Sequence, residues 1–172
     1  MSYQTSTITR TETITHTDVR HLVWKIKSDM FQLRIFHDCF TQDYEDNMAG
    51  DLFQWTYRGY AEKIKFTFFD PNTYHVKSEI SYYIERGRVV GADEDAGRIP
   101  FLDLAGTTFK LLITTNEAWK ALTVEEHQRF YNTLKLQWGT SNLRLSYEGG
   151  SWSDDKTYSS NSIAAKRSIY TG

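Results

Sequence analysis

The chain is 172 residues long, 40% apolar, carries a formal charge of −2 and holds one cysteine. That length suits one domain, or one domain with an arm, able to bury a core without covalent staples. The charge excludes a strong basic field aimed at nucleic acid or an anionic membrane, and the lone Cys39 excludes an intramolecular disulfide and suits a reducing cytosol.

Residues 5–17, T-S-T-I-T-R-T-E-T-I-T-H-T, place threonine at every odd position. Period-two repetition of a β-branched residue predicts a strand, and Arg10 and Glu12 suit an edge. Thr17-Asp18 can then cap a helix. Val19, Leu22, Val23, Ile26, Met30, Leu33, His37 and Phe40 follow helical spacing, and Trp24, Phe31 and Ile35 form a second stripe. Two stripes predict burial over more than half the circumference, so this helix is expected to be central. A second helix is expected from Thr41, with acidic residues in its first turns, Tyr44, Met48, Leu52 and Trp55 on its inner face, and Gly59 as its stop.

The period then changes. Ile64, Phe66 and Phe68 alternate with Lys63, Lys65 and Thr67, Asp70-Pro71-Asn72-Thr73 has turn chemistry, and Tyr74, Val76, Ile80, Tyr82 and Ile84 mark a returning strand ending near Arg86-Gly87. Residues 91–106 read as a loop. The segment T-T-F-K-L-L-I-T-T, with Leu111, Leu112 and Ile113 in succession, predicts a central strand buried on both faces. Thr123 and Glu126 have capping-box spacing and open a helix carrying Val124, His127, Phe130, Tyr131 and Leu134.

The last stretch, 137–172, contains eleven Ser or Thr residues and four Gly, as a tail would. Yet Trp138, Leu143, Leu145, Tyr147, Trp152, Tyr158, Ile163, Ile169 and Tyr170 run through it, more apolar surface than disordered chains carry. Leu143, Leu145 and Tyr147 alternate with Arg144 and Ser146, predicting a strand. The whole order describes an α+β domain with helices on one face of a mostly antiparallel sheet.

Little in this order assembles an active site. None of the five histidines falls into H-E-x-x-H or another familiar metal spacing, and no cofactor-binding glycine motif is present. His37-Asp38-Cys39 would be the best nucleophilic trio, but successive helical residues point in different directions. Asp93-Glu94-Asp95 lacks the further oxygen ligands of a calcium loop. Lys63 and Lys65 between aromatics make too short a stripe for a nucleic-acid stacking platform. No catalytic, metal or cofactor residue is therefore assigned, and a scattered hydrolase site using His127 or Cys39 is the lesser alternative. The N-terminus shows no signal-peptide pattern, and no apolar run nears the roughly 20 residues of a bilayer span, so a cytoplasmic protein is expected.

Three stretches together resemble the bacterial HORMA-domain proteins, small stand-alone proteins of CBASS anti-phage operons. They are the T-x-T-x-T leader opening into a long helix, the segment N-E-A-W-K-A-L-T-V-E-E-H-Q-R-F-Y-N-T-L, and the ending S-D-D-K-T-Y-S-S-N-S-I-A-A-K-R-S. The resemblance implies a three-layer α/β body with a long central helix, residues 1–136 with an N-terminal arm over 1–16, and a C-terminal safety belt over 137–172. It implies a non-enzymatic signalling adaptor whose belt wraps a closure-motif peptide and whose closed form activates a cGAS/DncV-like nucleotidyltransferase that makes a cyclic oligonucleotide second messenger. It also implies an AAA+ ATPase that reopens the closed form. On that footing Leu143, Leu145 and Tyr147 belong to the first belt strand, Trp152 and Tyr158 anchor the wrap, and residues 2–16, with Thr7, Thr9 and Thr11, form the remodeller's handle. The ending K-R-S-I-Y-T-G leaves open that this protein donates a terminal peptide to a second HORMA protein.

Overall fold

A computed structural model describes residues 13–32, 42–70, 72, 76–94, 108–140, 144–148, 151–157 and 162–165. The elements are α1 (His16–Gln32), α2 (Gln42–Tyr57), β1 (Ala61–Phe69), β2 (Val76–Glu85), β3 (Arg88–Glu94), β4 (Thr108–Thr115), α3 (Glu117–Lys120), α4 (Val124–Tyr131), β5 (Trp138–Thr140), β6 (Arg144–Glu148), β7 (Ser151–Thr157) and β8 (Ser162–Ala165). Six strands form one antiparallel sheet in the order β3-β2-β1-β4-β8-β5, and β6 and β7 form a separate two-stranded ribbon.

The alternation of β1 and β2 works as the sequence predicts. Ile64, Phe66 and Phe68 are buried opposite Tyr82, Ile80 and Ser78, and on the other side opposite Ile113, Leu111 and Phe109 of β4. Their aromatic rings meet edge-on, Phe66 with Phe109 at 5.2 Å and Phe68 with Phe109 at 5.9 Å, a geometry that ring quadrupoles favour. Leu112 is buried on the opposite face, with Thr67 and Ser81 near it in the register, so β4 is covered on both sides as its apolar run requires.

Helices α1 and α2 cover the first face. Leu22, Ile26 and Met30 of α1 and Tyr44, Met48, Leu52 and Trp55 of α2 join the same core. The Tyr82 hydroxyl donates to Asp29 at 2.6 Å and ties α1 to β2. The second stripe of α1 departs from expectation, because Trp24 is 69% exposed and Phe31 56%. Thus α1 buries one face, not more than half its circumference. Its start also differs. Thr15, two residues ahead of the expected cap, accepts from the Asp18 amide at 3.1 Å, and α1 begins at His16. Of the strand expected over 5–17, residues 5–12 lie outside the described residues, 13–15 form no strand, and His16 and Thr17 already belong to α1, where the Thr15 cap turns the chain into helix. Leu33, Ile35, His37 and Phe40, with the His37-Asp38-Cys39 trio, also lie outside the described residues.

Of the region read as a loop over 91–106, residues 91–94 belong to a strand, and 95–106 lie outside the described residues. Arg86 and Gly87 adopt φ of 54° and 77°, a two-residue reversal after which Arg88 pairs with Glu85 and β3 runs to Glu94. Positive φ at both central residues is the hairpin turn whose twist matches its flanking strands. Its signal was the Arg-Gly pair followed by Val89 and Val90.

The Thr123 box forms in full: Glu126 N–H donates to the Thr123 hydroxyl at 3.1 Å, and Thr123 N–H donates to the Glu126 carboxylate at 2.8 Å. That second bond, received from the Thr123 backbone, holds the Glu126 carboxyl below its ordinary value. Val124, which the sequence places with the helix's apolar residues, is exposed, whereas Phe130 is buried. Thr123→Ala is expected to lower stability by about 1 kcal/mol, read as a lower urea midpoint at an unchanged slope.

Candidate functional site

The C-terminal segment joins the body where α2, α3 and α4 converge. Asn116 caps α3 by accepting from Trp119 N–H at 3.2 Å, and its side-chain amide donates to the Gly59 carbonyl at 2.6 Å. This places Trp119 beside Trp55 of α2, ring centroids 4.9 Å apart. Phe130 meets Trp55 at 4.7 Å, and Trp138, the first residue of β5, at 5.6 Å. His127, the histidine considered for catalysis, stacks on Trp119 at 4.0 Å, with its Nε2 2.7 Å from the Trp119 carbonyl. Its ring is engaged in packing the α3–α4 corner.

One turn before Trp55, Asp51 points into the same region and is 1% exposed. Its carboxylate accepts from the Lys135 amide at 2.7 Å, the Leu136 amide at 2.8 Å and the Trp138 indole Nε1–H at 2.8 Å. Burial pushes the Asp51 carboxyl above its ordinary value, opposed by these three donors. A cleft of about 560 Å³ opens alongside, lined by Gln128, Tyr131, Asn132, Leu136, Gln137 and Trp138.

Beyond Trp138 the segment completes the sheet in two places. β5 is the terminal strand, and β8 returns to fill the position between β4 and β5. β8 pairs with β4 at Leu112–Ala164, Ile113–Ile163 and Thr114–Ser162, and with β5 at Trp138–Ala165, Gly139–Ala164 and Thr140–Ile163. Ile163 and Ala165 are buried in the core.

Of the expected belt residues, Leu145 and Tyr147 lie on β6 and Trp152 on β7, with Tyr147 and Trp152 opposite each other in register. They belong to the ribbon, so the first strand of the segment to join the sheet is β5 and not the stretch around Leu145. Leu143, Tyr158, Thr7, Thr9 and Thr11 lie outside the described residues. Asp51 was not named from the sequence, and Trp138 and Ile163 were named there only among the apolar residues of the last stretch, with no site role. The available signals were an acidic residue among the apolar positions Met48, Leu52 and Trp55, and the short apolar run I-A-A between polar stretches.

Among the described residues, no group of three or more His, Cys, Asp or Glu side chains converges as a metal site. Lys65 lies 3.9 Å from the Glu79 carboxylate, and the Lys63 ammonium sits 5.7 Å from the Tyr83 ring. No described helix is long and apolar enough to cross a membrane.

Residues 4–171 match Bacterial HORMA domain family 1. The chain is also similar to a chain in the structure of the E. coli MS115-1 HORMA:CdnC:Trip13 complex, with a TM-score of 0.55 and 19% identity over 91% of this chain and 92% of that one. A chain of the E. coli MS115-1 CdnC:HORMA-deltaN complex gives a TM-score of 0.53 and 18% identity over 89% and 88%. At these identities the likeness is one of fold. No curated protein matches the chain.

Proposed function

This chain belongs to Bacterial HORMA domain family 1, and from that premise we propose that it is a non-enzymatic signalling adaptor of CBASS anti-phage defence, closing its C-terminal belt around a closure-motif peptide. In the closed form it binds and activates a cGAS/DncV-like nucleotidyltransferase that makes a cyclic oligonucleotide second messenger. An AAA+ ATPase reopens it, with Thr7, Thr9 and Thr11 in its handle. The solved structures similar to this chain are of HORMA assembled with CdnC, in one case also with Trip13, which supports this choice of partners.

The observation that carries the reading is the way the C-terminal segment enters the sheet. β8 is held by three register positions on each side, while β6 and β7 form a ribbon apart from the sheet. A short strand bordered by two others can be exchanged for another extended segment, because main-chain hydrogen bonds are the same for any sequence and side-chain pockets select among guests. Leu143, Leu145, Tyr147, Trp152 and Tyr158 are the proposed belt residues, with Tyr147 and Trp152 at paired register positions of the ribbon.

The test is reconstitution with a cGAS/DncV-like nucleotidyltransferase from the same host. The full chain with peptide is expected to raise second-messenger synthesis at least tenfold. Deletion of residues 139–172 is expected to abolish that stimulation. The double variant Tyr147→Ala/Trp152→Ala is expected to keep the fold and weaken peptide capture roughly tenfold, equivalent to about 1.4 kcal/mol. Stimulation that survives the deletion rejects the adaptor reading.

A further inference from the structure

The three donors to Asp51 come from one short stretch, Lys135 N–H, Leu136 N–H and the Trp138 indole N–H, at 2.7, 2.8 and 2.8 Å. Asp51 and Trp55 stand four residues apart on α2, and so on one helical face. Together they grip Trp138 twice, at its indole nitrogen by the carboxylate and at its ring by Trp55, 5.6 Å away. Opening this grip would leave a buried carboxylate without its donors, among the costliest single changes a folded interior can undergo. β8, by contrast, is a four-residue strand whose register covers three positions on each neighbour. The segment therefore divides into a strongly held root and a lightly held remainder.

We infer that Asp51 is the positioning residue that fixes the root of the C-terminal segment at Lys135–Trp138, so that any relocation of the segment pivots beyond Trp138 and never includes it. Since β4 lies in the core and the start of β5 is clamped to α2, the gap that β8 fills keeps a width of about two strand spacings, roughly 9–10 Å. Any occupant of that gap must be a single extended segment. The importance of the pivot for switching rests on the adaptor reading; its existence does not.

Native-state hydrogen exchange on the full chain tests the inference without peptide or partner enzyme. The Lys135 and Leu136 amides should be protected as strongly as those of β1. Asp51→Asn, which keeps the side chain's size but removes its charge and turns an amide NH2 toward the donors, should accelerate exchange at 135 and 136 at least tenfold while β1 and β2 stay unchanged. If that variant does not fold, Trp138→Phe removes one donor and should give a severalfold acceleration confined to the same residues. Ile163→Asp should free the β8 amides while Lys135 and Leu136 stay protected. Exchange at 135 and 136 as fast as β8 in the unaltered protein, no change in either clasp variant, or joint loss of root and β8 protection in Ile163→Asp overturns the inference. A chain that passes all three tests yet captures no peptide overturns the adaptor reading alone.

Discussion

Replacing Trp55 with alanine is expected to lower the free energy of unfolding by about 3–5 kcal/mol, the range for removing a large core aromatic. The side chain is fully buried, and the rings of Trp119, Phe130 and Trp138 lie 4.9, 4.7 and 5.6 Å from it, with Tyr131 at 6.3 Å. These neighbours come from α3, α4 and β5, so no single element can move in to fill the cavity. Against a typical domain stability of about 5–15 kcal/mol, the loss is large enough to leave a sizeable unfolded fraction at growth temperature. Trp24→Ala makes the control. That indole is mostly exposed, and its removal should change stability by no more than about 0.5 kcal/mol. Urea denaturation of both variants decides the matter, and equal midpoints would refute the placement of Trp55 at the hub of the core.

The second large effect is expected at Gly87, where backbone and packing act together. Its φ of 77° lies in the left-handed region, and a Cβ there would stand 2.5 Å from Ile14 Cγ2 and 3.1 Å from Val19 Cγ2. Gly87→Ala therefore adds the cost of a side chain in a left-handed conformation to that of displacing Ile14, together about 2–4 kcal/mol. Ile14 also lies 3.3 Å from a Cβ built on Gly59, whose φ is 80°. Ile14, two residues ahead of α1, thus closes against two glycine turns, one after α2 and one between β2 and β3. Ile14→Ala should recover the steric part of the Gly87→Ala penalty, so the double-mutant cycle should show favourable coupling. Strict additivity of the two substitutions would exclude this contact. Protease cleavage ahead of α1 should also rise in Gly87→Ala, because the displaced Ile14 no longer pins that stretch.

Sites that depend on partners far along the chain behave differently from sites that depend on near neighbours. The Thr123 box needs only Glu126, three residues away, and forms as the spacing requires. Asp51 needs residues 84 to 87 positions later. Nothing in the sequence around Asp51 names those partners, and an acidic residue on an apolar helical face is equally compatible with a solvated edge.

The sequence by itself determined the elements whose pattern is local. These are the inner face of α2, the alternation of β1 and β2, the doubly buried β4 with Leu111, Leu112 and Ile113, and the Thr123 cap. Its motifs also carried the resemblance to the bacterial HORMA proteins, and the family match over residues 4–171 agrees with that reading. Periodicity records which side of an element is apolar but not what covers that side. Only the tertiary structure, therefore, decided that Trp24 and Phe31 face outward, that β3 follows the Arg86–Gly87 turn, and that the ribbon of β6 and β7 stands apart from the sheet. The tertiary structure alone also placed Ile163 between β4 and β5 and closed Asp51 on the root of the C-terminal segment. Both are choices among sheet edges and buried donors, which compete across the whole chain and are settled when the core closes.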